Sequence, residues 1–345
     1  MAISAPVAIG WISFAAGAGL AAWVATAAIK PWLEHRATVH PNSRSSHLVP
    51  TPQGGGVAVV LVTLIAAAVG LAASGALPEQ LTGHVIAVAM GALALMAIGL
   101  GDDINSQPIP LRLAVQVLAV GAVVATLPAD LRILPGYLSP GPERALVFVG
   151  ALWFVNLYNF MDGIDLMCVA ETVALAVGVA ILAALGFIPG WLGWIAAALG
   201  GATLGFAPWN APVARIFMGD AGSLPVSLIV GALLLHVAAS HAFAAALILP
   251  LYYLTDATVT IARRLLRGRK IWEAHRGHFY QQALGQGRSV AGIIRIVTGL
   301  NAVLIALAIG ATSTARVDAT LATTLAALAA VLVVLRLFAL PDRHP

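Results

Sequence analysis

Residues 145–165 read ALVFVGALWFVNLYNFMDGID. The first part of this stretch is apolar, and the second part, Asn156–Asp165, places two carboxylates and two carboxamides within ten residues. Only 9% of the residues in the whole chain are charged, so this concentration of polar groups beside an apolar run is exceptional. Ionisable groups are kept next to lipid where they bind a ligand or pair with each other. The stretch predicts a membrane helix over 145–159 that ends at a polar site.

The composition of the chain is that of a polytopic membrane protein. Of its 345 residues, 60% are hydrophobic, and the mean hydropathy is +0.95, whereas soluble domains carry about 25% charged residues. The apolar runs lack the period-two alternation of strands, and lipid admits only helices or closed barrels. We therefore expect an all-α fold that forms one integral membrane domain over residues 1–345.

Apolar runs long enough to cross a hydrocarbon layer of about 30 Å recur along the whole chain. They predict ten or eleven transmembrane helices. The expected spans are 7–29, 56–75, 84–101, 111–127, 145–159, 168–187, 190–206, 223–239, 242–262, 291–311 and 319–338.

The basic residues predict how these helices are oriented. No Lys or Arg precedes the first apolar run and Lys30 follows it, which favours a retained helix with its N-terminus outside the cytoplasm. With that orientation, fourteen of the eighteen basic residues lie in cytoplasmic connections and the C-terminal tail. The opposite side holds only Arg132, Arg144 and Arg316. The asymmetry predicts a periplasmic N-terminus and places the polar end of the 145–159 helix at the cytoplasmic face.

Five aspartates fall at three cytoplasmic helix ends that lie far apart in sequence: Asp102, Asp103, Asp162, Asp165 and Asp220. Adjacent carboxylates repel each other near lipid unless a cation neutralises them. A solvated helix end is the simpler explanation of an isolated pair, but five acids on one side of the membrane indicate a shared divalent-cation site. Mg²⁺ prefers such oxygen ligands and usually binds through one or two carboxylates plus substrate phosphates.

Two glycine-containing segments are candidates for phosphate binding. Gly54–Gly56 precede a helix, so their backbone amides are expected to approach a phosphate, and Arg44 adds a cationic fork. Residues 217–223 read FMGDAGS. Gly222 at a helix start suits an anion such as a diphosphate, whereas Ser223 is alternatively a simple helix cap.

The last large cytoplasmic loop and the span before it carry further polar groups. Residues 263–270 hold five basic residues, which we interpret mostly as anchors for anionic lipid. His275, Arg276 and His278 follow, and this group is richer than anchoring requires. Asp256 lies inside an expected span, so it is either a functional acid or a buried hydrogen-bond partner of a neighbouring helix. A cation-coupled transporter that uses Asp256 and the cytoplasmic carboxylates is the alternative to an enzyme.

Five motifs in order resemble those of the polyprenyl-phosphate N-acetylhexosamine-1-phosphate transferases, the membrane superfamily that also contains the phospho-MurNAc-pentapeptide transferases. The motifs are PTPQGGG at 50–56, DD at 102–103, NFMDGID at 159–165, FMGDAGS at 217–223 and HRGHFYQ at 275–281. The resemblance implies transfer of a HexNAc-1-phosphate from a UDP-sugar to undecaprenyl phosphate or another polyprenyl phosphate, with release of UMP. It also implies Mg²⁺, or alternatively Mn²⁺, a bacterial inner-membrane location and an active site that faces the cytoplasm.

The resemblance, together with the chemistry of the side chains, assigns roles to individual residues. The expected catalytic residues are Asp102, Asp103 and His278, and the expected metal ligands are Asp220 and Asp103. The expected substrate-binding residues are Asn156, Asn159, Asp162, Asp165, Phe217, Arg44, His47, His275 and Arg276, with Phe217 near uracil. The expected partners are a UDP-N-acetylhexosamine, undecaprenyl phosphate and the lipid bilayer, with no nucleic acid, and a homodimer is left open.

Departures from the family pattern bear on the choice of substrate. Leu166 stands where glycine usually follows the second aspartate of the central motif, and Gln53 replaces a common arginine. Tyr280 and Gln281 occupy positions where the pentapeptide transferases and some relatives have further histidines. These differences argue against a peptidoglycan precursor and favour an enzyme that initiates a surface polysaccharide, such as the O-antigen of lipopolysaccharide. Two routes are compatible with the residues: direct attack by the lipid phosphate, with Asp102 as base, and a covalent aspartyl intermediate.

Overall fold

The computed structural model describes residues 5–39, 49–270, 276–314 and 316–340. The helices are α1 (Ala5–Arg36), α2 (Gly56–Ser74), α3 (Thr82–Ile104), α4 (Ile109–Ala125), α5 (Pro140–Met161), α6 (Met167–Ala184), α7 (Trp191–Asn210), α8 (Asp220–Ala239), α9 (Phe243–Ile248), α10 (Leu251–Leu266), α11 (Phe279–Gly285), α12 (Val290–Ser313) and α13 (Val317–Ala339). Two short antiparallel strands, β1 (Thr38–Val39) and β2 (Thr51–Pro52), pair Thr38 with Pro52 and Val39 with Thr51. A 3₁₀ turn, Glu79–Leu81, leads into α3.

The helices have the length and composition of membrane spans. Within the described ranges, nine helices are long and apolar enough to cross a membrane, namely α1, α2, α3, α5, α6, α7, α8, α12 and α13. The apolar helix α4 is shorter, at 17 residues. The prediction of an all-α polytopic membrane protein is confirmed.

The expected span over 242–262 was wrong as a single helix. The structure divides it into α9, which ends at Ile248, and α10, which begins at Leu251. Pro250 lies at the break. Proline lacks a backbone N–H and its ring crowds the carbonyl four residues before it, so an uninterrupted helix would lose a hydrogen bond there.

Helix α8 occupies the centre of the bundle. It packs against α2, α3, α5, α6 and α9, and most of its side chains are buried. A helix that is apolar on all sides is suited to such a position, because it has no face that prefers water. The first residue of α8, Asp220, is therefore surrounded by the ends of other helices.

Two glycines allow helix backbones to approach closely at the start of α8. A Cβ atom at Gly99 would overlap the backbone of Asp220, so α3 passes directly beside the first turn of α8. A Cβ atom at Gly56 would likewise overlap the backbone of Gly222. Only glycine permits such contacts. The C-terminal end of α3 and the N-terminal ends of α2 and α8 consequently meet at one end of the bundle.

Candidate active site

The ends of α3, α5 and α8 surround a polar cavity of about 300 Å³. Its walls include six of the residues predicted from the sequence, namely Asp103, Asn159, Asp162, Asp165, Phe217 and Asp220. The other lining residues are Val39, Gln53, Gly163, Ile164, Asn210, Met218, Gly219 and Gln281. Segments that lie far apart in sequence thus face one concave space, which is the expected form of a small-molecule site.

Arg112, in the first turn of α4, joins two of the predicted acidic groups. Its guanidinium donates to Asp102 Oδ2 at 2.9 Å and to Asp220 Oδ2 at 2.6 Å. Asp102 Oδ1 also accepts a hydrogen bond from the Gln107 backbone N–H at 2.7 Å. Asp102 does not line the cavity. The structure therefore connects Asp102 to the site through Arg112.

Asp103 faces the first turn of α8 and is buried. Its Oδ1 accepts a hydrogen bond from the Asp220 N–H and its Oδ2 from the Ala221 N–H, both at 3.0 Å. A carboxylate at this position satisfies unpaired helix amides and complements the positive end of the helix dipole. The predicted binding of a substrate anion at the helix start near Gly222 is therefore corrected, because the Asp103 carboxylate takes those amides.

The Gly54–Gly56 segment packs against the loop that precedes α8. The Gly55 N–H donates to the Phe217 carbonyl and the Gly56 N–H to the Met218 carbonyl, both at 2.9 Å. The prediction that these amides bind a phosphate was wrong for Gly55 and Gly56, because both donors are already used. The glycines instead allow the start of α2 to lie against the loop that carries Phe217.

The two asparagines of the central motif use their amide N–H groups within the protein. Asn159 Nδ2 donates to Asp220 Oδ1 and to Ser223 Oγ, both at 2.8 Å. Ser223 is thus a partner inside the first turn of α8 and not its N-cap. Asn156 Nδ2 donates to Gln116 Oε1 of α4 at 2.8 Å. Asn159 orients Asp220 at the cavity wall, whereas the structure does not bring Asn156 to the cavity.

Asp162 and Asp165 reach the cavity from the loop that follows α5. Asp165 Oδ2 accepts a hydrogen bond from the Ala214 N–H at 3.1 Å. The Asp162 carboxylate has no hydrogen-bond partner in the part of the chain that the structure describes. Burial raises the pKa of this carboxyl to about 7, and the negative charges of Asp220 and Asp165 add to the shift. A cation between these groups would offset both effects.

His278, predicted to be catalytic, is buried outside the cavity. Its Nδ1 lies 3.2 Å from Asp256 Oδ1. Asp256 also accepts hydrogen bonds from the Tyr252 and Thr260 hydroxyls, both at 3.3 Å, and from the Phe279 N–H at 3.1 Å. These contacts show Asp256 as the hydrogen-bond partner that joins α10 to α11, which is the second of the two sequence interpretations. The residue that motivated the transporter alternative thus has a structural explanation.

The remaining predicted substrate-binding residues are basic. Arg276 is exposed in the segment that precedes α11. Arg44, His47 and His275 lie outside the described residues.

Comparison with known families identifies the fold around this cavity. A family model described as "Glycosyl transferase family 4" matches residues 85–238, which include the ends of α3, α5 and α8 that form the cavity. Over this range the chain is similar to glycosyl transferase family 4. The resemblance found in the motifs is confirmed, and the described part of the chain has the long apolar helices of a membrane protein.

The relatives that this chain resembles cover most of its length. Decaprenyl-phosphate N-acetylglucosaminephosphotransferase of Mycobacterium tuberculosis is 28% identical over 306 residues, which are 76% of this chain and 72% of the relative. Phospho-N-acetylmuramoyl-pentapeptide-transferase of Deinococcus radiodurans is 28% identical over 242 residues, 65% of this chain and 73% of the relative. A probable undecaprenyl-phosphate N-acetylglucosaminyl 1-phosphate transferase of Bacillus subtilis is 26% identical over 261 residues, 72% of this chain and 70% of the relative.

Leu166, which departs from the family motif, adopts a backbone conformation suited to glycine. Its φ is +64°, in the left-handed region that L-residues other than glycine rarely enter. The Leu166 N–H donates to Asn210 Oδ1 at 2.8 Å, and Asn210 Nδ2 donates to the Ile216 carbonyl at 3.1 Å. The turn after the central motif is therefore kept without glycine, and the buried Asn210 side chain holds it in place.

Several polar residues of this site were not predicted from the sequence. Arg112 links two acids, and Asn210 and Gln281 line the cavity. A signal for Arg112 was present, because it is the first basic residue after Asp102 and stands at the start of the expected span 111–127. Asn210 gave no local signal, since its partners come from two separate loops. Gln53, noted only as a departure, donates from Nε2 to a backbone carbonyl of α3 at 2.9 Å.

The cavity contains oxygen donors for the predicted Mg²⁺ site. The described ranges contain no group of three or more His, Cys, Asp or Glu side chains arranged to hold a metal ion. Mg²⁺ needs only one or two carboxylates when waters and substrate phosphates complete its octahedral shell. Asp162 and Asp220 face the same cavity, and Asp162 has no competing hydrogen bond. These two carboxylates fit the protein's share of such a site, and Mg²⁺ stays a prediction.

Proposed function

We propose that this protein transfers an N-acetylhexosamine-1-phosphate from a UDP-sugar to a polyprenyl phosphate such as undecaprenyl phosphate and releases UMP. The observation that supports this most directly is the cavity into which Asn159, Asp162, Phe217 and Asp220 converge from separate helix ends. The names of the relatives, which are decaprenyl- and undecaprenyl-phosphate N-acetylglucosamine phosphotransferases, point to the same class of reaction.

The reaction is a phosphoryl transfer with a balanced exchange of bonds. An oxygen of the lipid phosphate forms a bond to the β-phosphorus of the donor, and the bond from that phosphorus to the oxygen bridging to the UMP phosphorus breaks. The products are a polyprenyl-diphosphate sugar and UMP. Little covalent chemistry is required of the protein in such a reaction, so positioning and electrostatic stabilisation provide most of the acceleration.

The donor is proposed to lie along the cavity, with uracil against the Phe217 ring and the sugar beside Asp165. Mg²⁺, held by Asp162 and Asp220, would neutralise the diphosphate. Asp220 is oriented for that role on both of its carboxylate oxygens, because Asn159 donates to Oδ1 and Arg112 donates to Oδ2. Asp103 also helps to position Asp220, because its carboxylate joins the first turn of α8 to the end of α3.

Asp102, unlike Asp103, does not line the cavity. It is held by Arg112 and Gln107 outside the cavity wall, so it acts on the lipid phosphate or on the donor only when Arg112 releases it. The two routes left by the sequence differ in one measurable product. A covalent aspartyl route releases UMP from the donor in a single turnover without any lipid acceptor, whereas direct attack releases UMP only when the lipid phosphate is present.

The lipid acceptor needs an apolar path between the bilayer and the site. A groove of about 360 Å³, with an almost wholly apolar lining, lies between α5, α8, α9 and α10. Both α5 and α8 run from this groove to the cavity, where α5 ends at Met161 and α8 begins at Asp220. The groove supports an isoprenoid chain as the acceptor's tail. We further propose that the cavity faces the cytoplasm at the bacterial inner membrane and that the product initiates a surface polysaccharide.

The proposal is tested with purified protein in lipid nanodiscs. Labelled UDP-N-acetylglucosamine, UDP-N-acetylgalactosamine and a 6-deoxy UDP-HexNAc are each incubated with undecaprenyl phosphate and Mg²⁺, and butanol-extractable label is counted. We expect label in the butanol phase, with an equal amount of UMP, for one of these donors. Absence of extractable label with every donor, in a preparation that remains folded, would refute the transferase function.

A further inference from the structure

Tyr280, in the first turn of α11, contacts the loop that carries Asp162 and Asp165. The side chain is fully buried, and its hydroxyl donates to the Phe160 carbonyl at 3.4 Å. The same hydroxyl lies against Gly163, with the Gln281 side chain beside it. A single phenolic oxygen therefore meets the end of α5 and the turn that follows it.

Gly163 leaves room for this hydroxyl because it has no side chain. A Cβ atom at position 163 would overlap the Tyr280 hydroxyl oxygen, while the ring carbon Cζ would remain 3.2 Å away. The severe overlap would be with the oxygen, whereas the ring carbon and Gln281 Nε2, which would lie 3.0 Å away, would be tight contacts that have to shift slightly. Glycine between the two aspartates is required here for a specific contact between a loop and a helix, in addition to any freedom of its backbone.

Helix α11 is itself held by contacts with α10. Its first N–H, that of Phe279, donates to the buried Asp256 carboxylate, and the His278 ring contacts the same carboxylate. The His278 ring also stacks on Tyr280, with ring centroids 5.8 Å apart and planes 22° apart. Gln281, the next residue of α11, lines the cavity. These contacts therefore hold the Tyr280 hydroxyl in a defined position beside the Asp162–Asp165 loop.

We infer that Tyr280 is a positioning residue of the donor site: its hydroxyl fixes the Asp162–Asp165 loop, and α11 and the Asp256–His278 pair hold that hydroxyl in place. This inference rests on the proposed transferase function. It assigns to the HRGHFYQ motif at 275–281 a role in donor affinity, which is exerted through the Asp162–Asp165 loop. If Tyr280 only filled space in the core, replacing it would lower stability. It would not raise the KM for the donor while leaving kcat unchanged.

The first test compares two tyrosines that each lose only a buried hydroxyl. Tyr280→Phe removes the contact with the loop, whereas Tyr253→Phe removes a buried hydroxyl that has no hydrogen-bond partner among the described residues. We expect Tyr280→Phe to raise the KM for the UDP-sugar about fivefold, as for loss of one buried hydrogen bond. The kcat and the KM for the lipid phosphate should stay within twofold of the unmodified protein, and Tyr253→Phe should change none of the three. Equal effects of the two substitutions on donor KM would overturn the inference.

The second test is a double-mutant cycle between Tyr280 and Gly163. Gly163→Ala should lower kcat/KM for the donor by more than tenfold, because the new methyl group meets the hydroxyl. Adding Tyr280→Phe to Gly163→Ala should recover part of this loss, because the overlap with the oxygen is removed while the tight contacts with Gln281 Nε2 and the ring carbon remain. Gly299→Ala, in α12 with open space around it, is the control for the substitution itself and should have no effect. Additive losses in the double variant would contradict the proposed contact.

A third measurement does not depend on turnover. Amide hydrogen exchange over residues 157–166 reports how firmly the loop is held, whether or not a donor has been identified. Tyr280→Phe should speed exchange in this peptide by about fivefold and leave peptides of α12 unchanged, and Tyr253→Phe should leave both unchanged. If exchange is accelerated but no UDP-sugar is turned over, the positioning role stands and the proposed function fails. Unchanged exchange in Tyr280→Phe would overturn the positioning role.

Discussion

Replacing Arg112 with glutamine would leave Asp102 and Asp220 facing each other without the cation that now lies between them. Arg112 makes two ion pairs, at 2.9 Å and 2.6 Å, and its side chain is 25% exposed while those of the two aspartates are 15% and 23% exposed. A hydrogen bond to a charged group contributes about 1.5–3 kcal/mol. Both bonds come from one guanidinium and are partly screened by solvent, so about 2 kcal/mol is a suitable figure for the pair.

That energy translates into a specific loss of activity. If orientation of Asp220 is required in the transition state, about 2 kcal/mol corresponds to a fall of about 30-fold in kcat/KM. Arg112→Lys keeps the charge but not the fork that contacts both acids, so it should recover only part of the loss. The assay is formation of butanol-extractable product over a range of donor concentrations, with the thermal unfolding midpoint measured on the same samples.

Arg316→Gln is the matched control, because Arg316 also makes a side-chain ion pair, with Asp318, but both side chains are well exposed at the start of α13. That variant should behave like the unmodified protein in both measurements. If Arg112→Gln stays within twofold of the unmodified protein in kcat/KM, the guanidinium does not orient Asp220 and the reasoning is refuted. A loss of activity shared equally by Arg316→Gln would also refute it.

Three further outcomes are expected. Asp103→Asn should lower the free energy of unfolding by about 1–2 kcal/mol, because one charge-assisted bond to the start of α8 is lost, and a denaturant titration that shows no shift would contradict the cap. Leu166→Val should lower the thermal midpoint more than Leu185→Val does, since a β-branched side chain is disfavoured at a positive φ and Leu185 has a right-handed helical φ. Chelation with EDTA should abolish transfer and addition of Mg²⁺ or Mn²⁺ should restore it, whereas full activity after exhaustive chelation would remove the metal from the scheme.

Much of the fold followed from the sequence because membrane insertion imposes a simple rule. Apolar runs of sufficient length must form helices, so the spans around α2, α3 and α8 were expected close to their observed bounds. The break between α9 and α10 was missed, although Pro250 stood in the middle of the run. Hydropathy alone does not register the missing N–H of a proline.

The sequence predicted several residues that line the candidate site, but it predicted few of the contacts between them. Charge asymmetry placed Asp103, Asp162 and Asp220 on one side of the membrane, and all three line the same cavity. The sequence did not indicate that Asp103 would bond to amides 117 and 118 residues away, because a tertiary hydrogen bond leaves no periodic pattern. For the same reason the amides of Gly55 and Gly56 were predicted to bind a phosphate, whereas they donate to the carbonyls of a distant loop.

The hydrogen bonds of Asp103 have a consequence for the design of inhibitors. The start of a helix usually attracts phosphate or carboxylate groups, and compounds against such sites are often built around an anion. Here the protein's own carboxylate already fills that position at α8, so an anionic compound aimed there would have to displace a buried residue that also holds two helices together. Compounds with a neutral head group that bonds to the Gln281 amide, and with an aromatic ring for Phe217, suit the cavity better.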